Sequence, residues 1–447
     1  MNLIYGIKDR PKFGQLIIFA FQQLLAILAA TIAVPTIIGN GMSQSAALFG
    51  AGVGTLVYLL FTKFRSPVFL GSSFAFLGSM FAAFAGAIST EAGFAGLIIG
   101  AIFAGLVYVI IAIIVKAAGV AWINKLMPPV VIGPTVAIIG LSLAGNAVSD
   151  SLNGAYDAEA AAYVMGPNVW ACFICALVTL IVIVVCSVYG KKMLKLIPFI
   201  IGILAGYLVA VIFTLIGMNS GNEALIIIDF TKFATMQWVP DFTFFKAASG
   251  FSQITGDYIA TIAVAYIPVA FVVFAEHIAD HKNLSTIIDK DLLEDPGLHR
   301  TLLGDGVGSI AGALFGGCPN TTYGESVGCV AITGNASVVT ILATAIMAIV
   351  ISFVGPFVTF LSTIPGCVMG GVCITLYGFI AVSGLKMVQN VDLNNNRNLF
   401  VVSVILIAGI GGMALKIGSV TLTEIASALI LGIIVNLILG AKDKKEN

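Results

Sequence analysis

Apolar runs of roughly 18 residues or more recur along this chain from end to end, each long enough to cross a hydrocarbon layer about 30 Å thick. At that depth no water reaches the backbone, so its N–H and C=O groups must pair within helices or a closed barrel. The runs have helical length, and the reading is an all-α polytopic membrane protein. Charge supports it: only 9% of the 447 residues are charged, whereas a water-soluble domain carries about 25%. Neither a removable signal peptide nor a nucleic-acid partner is expected. The first run lacks a small-residue cleavage site, and at zero net charge there is no basic stripe to track phosphates.

The runs lie at approximately 14–38, 45–62, 68–89, 93–115, 127–148, 168–189, 195–217, 258–279, 301–316, 319–333, 337–361, 364–385, 398–414 and 421–440, which predicts fourteen spans. With the N-terminus inside, 18 of the 21 Lys and Arg residues fall on the cytoplasmic side, leaving Lys232, Lys246 and Lys416 outside. Cytoplasmic loops carry such an excess. The inside set includes Lys125, Lys191, Lys192, Lys195, Lys444 and Lys445, and both termini are expected in the cytoplasm.

Two motifs occur twice. "LFGAGVGT" (Leu48 to Thr55) is matched by "LLGDGVGS" (Leu302 to Ser309), and "PPVVIG" (Pro128 to Gly133) by "PGCVMG" (Pro365 to Gly370). Members of each pair are seven spans apart, and an odd number of spans flips the second copy. The prediction is two inverted seven-span repeats. The repeat also aligns "GSSFAF" (Gly71 to Phe76) in span 3 with "NTTYGES" (Asn320 to Ser326) in span 10. Both are short polar and aromatic runs with period-two character. Interrupted segments at matching places in two halves point to a transporter's binding site, because extended backbone at membrane depth must line a cavity or pair internally.

Four acids fall within the spans: Glu276, Asp280, Asp305 and Glu325. Each costs at least about 2.5 kcal/mol at mid-membrane and needs a reason to be there. On a helix, Glu276 and Asp280 stand four residues apart on one face, and His277 and His281 form a second such pair. Two neighbouring carboxylates make a site for taking up and releasing a proton. A membrane-embedded hydrolase using Glu276, His277 and His281 is the alternative from another class, although E-H-x-x-x-H is not the H-E-x-x-H order of a zinc hydrolase. Asp305 divides evenly between helix packing and a coupling role. Cys172 and Cys175 form a C-x-x-C inside an apolar run and read as buried small side chains, with no disulfide framework. No phosphate-binding G-x-x-x-x-G-K-[ST] loop is present, so ATP-driven pumping is unsupported. No cofactor or metal is implied, and transport is a better reading than enzymatic turnover.

With these residues in view, the chain resembles the nucleobase–ascorbate transporter (nucleobase:cation symporter) family. The similarity runs from "RPKFGQ" (Arg10 to Gln15) to the last span and is most specific in "LGSSFAF", "FAEHIADH", "KDLLEDPGLHR" and "PNTTYGESVGCVAITG". The resemblance implies fourteen spans in two inverted repeats, with short antiparallel strands in spans 3 and 10. It implies a core domain from residues 1–118 and 256–361 and a gate domain from 119–255 and 362–447. Members are proton- or sodium-coupled and commonly homodimeric, and a place in the bacterial cytoplasmic membrane follows.

By position, Glu276 and Glu325 match the glutamates that grip a nucleobase ring, and the backbone N–H groups of Phe74 and Gly324 match the donors to its carbonyl oxygens. Tyr323 matches a neighbouring pocket residue. Glu276 with Asp280 is the expected proton-coupling pair. The pattern Tyr323-Gly324-Glu325 implies uracil as substrate, with a xanthine-type purine or another pyrimidine as the alternative. Three places depart from the family. Gln22 and Gln23 stand where a Gln–His pair is usual, Asp280 stands where the uracil branch has His, and Ser326 replaces an Asn.

Overall fold

In the computed structural model, residues 3–119, 128–191, 193–389, 391–417 and 420–443 are described. Lys125, Lys192, Lys444 and Lys445 of the charge count lie outside them. Eight helices among the described residues are long and apolar enough to cross a membrane. They are α1 (Phe13–Ile38), α2 (Gln44–Phe61), α4 (Thr90–Ala118), α5 (Pro129–Ser142, continuing to Ser151), α6 (Pro167–Tyr189), α7 (Pro198–Ser220), α8 (Gly256–Ile288) and α12 (Gly366–Val388). A ninth arises if α11 (Val338–Ile351) and the helix Gly355–Thr363, bent by 83°, form one span.

The other predicted spans are shorter or broken for local reasons. Span 3 divides into strand β1 (Leu70–Ser72), a 3-10 turn at Phe74–Phe76 and the nine-residue α3 (Leu77–Ala85). Span 10 divides in the same way into strand β2 (Asn320–Thr322) and α10 (Gly324–Thr333). Span 9 is α9 (Leu298–Gly316), rich in glycine and less apolar. Spans 13 and 14 hold α13 (Asn396–Ile410) and α14 (Glu424–Asp443).

The repeated glycine motifs pack on each other. A Cβ on Gly54 of α2 would lie 2.8 Å from the Gly308 carbonyl of α9, and one on Gly308 would lie 2.7 Å from the Gly54 carbonyl. Only hydrogen fits at such a crossing, which is how small residues let helices pack where lipid supplies no hydrophobic drive. α9 also packs on α4, and α11 on α2. The second repeated motif opens α5 and α12, each with a proline at its N-cap, and these two helices form another close pair. α12 packs on α6, α6 on α7, and α13 on both α14 and α5.

β1 and β2 pair antiparallel with Leu70 opposite Thr322, Gly71 opposite Thr321 and Ser72 opposite Asn320. A two-stranded sheet leaves outer edges that water would normally satisfy. Here side chains do it: Thr55, from the repeated motif, accepts the Leu70 N–H at 2.9 Å, and Ser326 accepts the Phe69 N–H at 3.1 Å. Asn320 anchors β2 by donating to the Gly50 carbonyl at 2.9 Å.

Candidate functional site

Each strand of this small sheet runs straight into a helix, and the first N–H groups of a helix have no partner within it. Phe74 opens the 3-10 turn after β1, Gly324 opens α10 after β2, and neither helix start has a side-chain cap. Two sets of unsatisfied donors, carrying the positive ends of two helix dipoles, therefore meet at one place. Gly324 stands beside Asp280 there: a Cβ on it would lie 3.9 Å from Asp280 Oδ1, an ordinary contact distance.

Beside these donors lies a cavity of about 420 Å³. Phe74, Tyr323, Gly324 and Glu325 line it from the two strand–helix turns, and Glu276 and Asp280 line it from α8. Its far wall is apolar apart from Ser383, with Val136 of α5, Phe199 of α7 and Leu376, Phe379 and Met387 of α12. All of the residues expected from the sequence thus border one space. The arrangement offers backbone N–H donors to carbonyl oxygens and carboxylate acceptors to N–H groups, and charge-assisted pairs of the latter kind are the stronger ones.

Two residues behave differently from simple contact groups. The Tyr323 hydroxyl donates to the Ser72 carbonyl at 2.7 Å, and its ring covers Gly71, where a Cβ would lie 2.4 Å from the ring. Tyr323 therefore braces β1 against β2 as well as bordering the cavity. Asp280 is tethered to β2, its Oδ2 accepting the Thr322 hydroxyl at 2.7 Å. Sequence reasoning missed Thr322, although it stands in the polar run that marked span 10.

His277 and His281 turn away from the cavity and are fully buried. His277 places Nδ1 2.6 Å from Asp305 Oδ2 and Nε2 2.9 Å from the Thr301 hydroxyl. His281 donates from Nδ1 to the His277 carbonyl at 2.8 Å, leaving Nε2 to accept from the Tyr58 hydroxyl at 2.7 Å. These bonds occupy both rings. The hydrolase alternative needs both histidines beside Glu276 and is not supported by this geometry. No group of His, Cys, Asp and Glu able to hold a metal occurs among the described residues. Two departures from the family also meet: Gln23 donates from Nε2 to the Ser326 hydroxyl oxygen at 2.6 Å. The sequence carried both residues but not their contact, 303 positions apart.

Comparison with known proteins decides the family. The model of a permease family (Xan_ur_permease) matches residues 14–418. The chain belongs to this family. The permease is 42% identical to a uracil permease of Bacillus caldolyticus over 99% of this chain and 96% of the relative. It is 38% identical to a uracil permease of Bacillus subtilis (97% and 94% covered) and 35% identical to that of Escherichia coli K12 (97% and 93%). It is thus a multi-pass membrane transporter and not an enzyme. Among solved structures, the transmembrane domain of a cyanobacterium bicarbonate transporter, BicA, superposes with a TM-score of 0.63 at 14% identity, covering 96% of this chain and 98% of that one. The murine anion transporter Slc26a9 does so at 0.65 and 12%, covering 98% and 69%. At those identities the permease shares a fold with them, and nothing follows about its substrate.

Proposed function

We propose that the permease imports uracil together with a proton by alternating access. The observation that carries this is the meeting of two uncapped helix starts, at Phe74 and Gly324, with the carboxylates of Glu276 and Glu325 around one cavity. A uracil ring presents two carbonyl oxygens and two ring N–H groups, the complement of that set. A site that hydrogen-bonds every edge rejects analogues that leave its own groups unpaired. The names of the relatives agree with this substrate. The facing carboxylates suit N–H donors and oppose an anion, so the fold shared with anion transporters is put to a different use.

The proton is taken up on the Glu276 and Asp280 face, which lowers the negative charge that the occupied site carries across the membrane. α2, α4, α8, α9 and the two strands form a core domain that carries the base. α5, α6, α7, α12, α13 and α14 form the gate domain; spans 1–7 and 8–14 are the inverted repeats of a fourteen-span chain, and each repeat contributes to both domains. Reciprocal packing of the repeated glycine motifs supports that symmetry. The cavity extends to Phe199 at the start of α7 and Met387 near the end of α12, ends that the charge count assigns to the cytoplasm. Two such chains pair as a homodimer.

The test is uptake of labelled uracil into proteoliposomes with an imposed pH gradient. Accumulation that collapses with the gradient and is independent of sodium is expected. Uptake that follows a sodium gradient instead would overturn proton coupling, and no saturable uracil uptake would overturn the substrate.

A further inference from the structure

Asp280 has more to offer than a place in the coupling pair. Its Oδ2 is fixed by the Thr322 hydroxyl at 2.7 Å. Its Oδ1 has no hydrogen-bond partner among the described residues and lies where a Cβ of Gly324 would be 3.9 Å away. Gly324 is the start of α10, without a side-chain cap, and it lines the same cavity as Asp280. The free oxygen is therefore an acceptor held at a set place beside an uncapped helix start. Tethering matters here, since a carboxylate restrained through one oxygen presents the other with little further loss of rotamer freedom.

If uracil is the substrate, as proposed above, its two ring N–H groups are taken by Glu276 and Glu325 and its carbonyls by backbone donors. The remaining edge, C5–C6, carries only C–H. The geometry points to Asp280 Oδ1 as a specificity-determining acceptor that selects uracils bearing an N–H donor on that edge. The ligand class is 5- or 6-aminouracil, in preference to the methyl analogues of the same size. An amino group satisfies the carboxylate oxygen, whereas a methyl group desolvates it with no return, and a missing partner for a buried polar group is what discriminates most strongly.

The experiment is competition against labelled uracil on purified full-length protein, pairing 5-aminouracil with 5-methyluracil and 6-aminouracil with 6-methyluracil. In wild type, at least one amino compound should compete about ten-fold better than its methyl partner. That ratio should fall toward one in Asp280→Ala and shrink in Thr322→Val, whatever the absolute affinities. Equal competition within both pairs in wild type overturns the proposal even where neither variant folds, and so does a ratio that survives Asp280→Ala. Absent binding of uracil itself would instead refute the substrate reading, so the two failures are distinguishable.

Discussion

Glu276 and Asp280 look into the cavity from α8, whereas His277 and His281, one residue further along in each case, look into packed protein. The two pairs have the same spacing on the same helix, yet their surroundings differ completely. On the packed face every ring nitrogen has a fixed partner: Asp305, Thr301, the His277 carbonyl or Tyr58. On the cavity face Glu276 has no hydrogen-bond partner among the described residues, and Asp280 has one, through a single oxygen. A membrane protein therefore places ionisable groups in its interior for two separate reasons, and on α8 the side that meets the cavity is the side whose groups keep bonding capacity a ligand can reach.

The sharpest way to break this comparison is Asp305→Ala. Removing one member of a buried pair strands the other, which costs about 3–5 kcal/mol. Thermal unfolding in detergent should drop steeply, as it should for His277→Ala. An Asp305→Ala protein that melts like wild type while failing to transport would move Asp305 to the functional face. Glu276→Gln and Glu325→Gln should do the reverse. Each should weaken uracil binding by roughly 10- to 100-fold, the worth of a hydrogen bond to a charged group, while the melting curve stays in place. Isothermal titration alongside the melts reads both effects.

A smaller effect sharpens the picture at the edge of the sheet. Gln23→Leu and Ser326→Ala should each destabilise the protein, and the double variant should lose less than their sum by about 1 kcal/mol. Strict additivity would show that the contact between the two does not contribute. The smallest effect belongs outside the membrane. Asp295 pairs with Lys290 and Arg65, which hold its carboxyl at about 2 against an ordinary 3.8. Ionised Asp295 thus stabilises the fold above about pH 4, and that contribution disappears as pH falls toward 2. Asp295→Asn should lower the melting temperature slightly at pH 7, with the gap to wild type narrowing below about pH 4 and closing as pH falls toward 2.

Much of this was legible in the chain. Long apolar runs announce a membrane protein, because hydrophobic length is a local property. The strand–helix breaks in spans 3 and 10 could be read from "GSSFAF" and "NTTYGES", whose polar residues disagree with their apolar flanks. Glu276, Asp280 and Glu325 stood out because charge is expensive at that depth. Asp305 stood out for the same reason but stayed ambiguous, since no local signal joins it to His277, 28 residues away. Nor did anything in the sequence give Thr322 its tether or bring Gln23 to Ser326.

Hydrophobic length, helix phase and the positions of acids and glycines were determined by the sequence alone, because each acts over one or two turns. Only the tertiary structure decided which face of α8 meets the cavity and which meets Asp305. It also decided that two uncapped helix starts, from opposite halves of the chain, share one space. Those outcomes depend on contacts across 28 to more than 200 residues, set by how helices pack and which buried polar groups find partners.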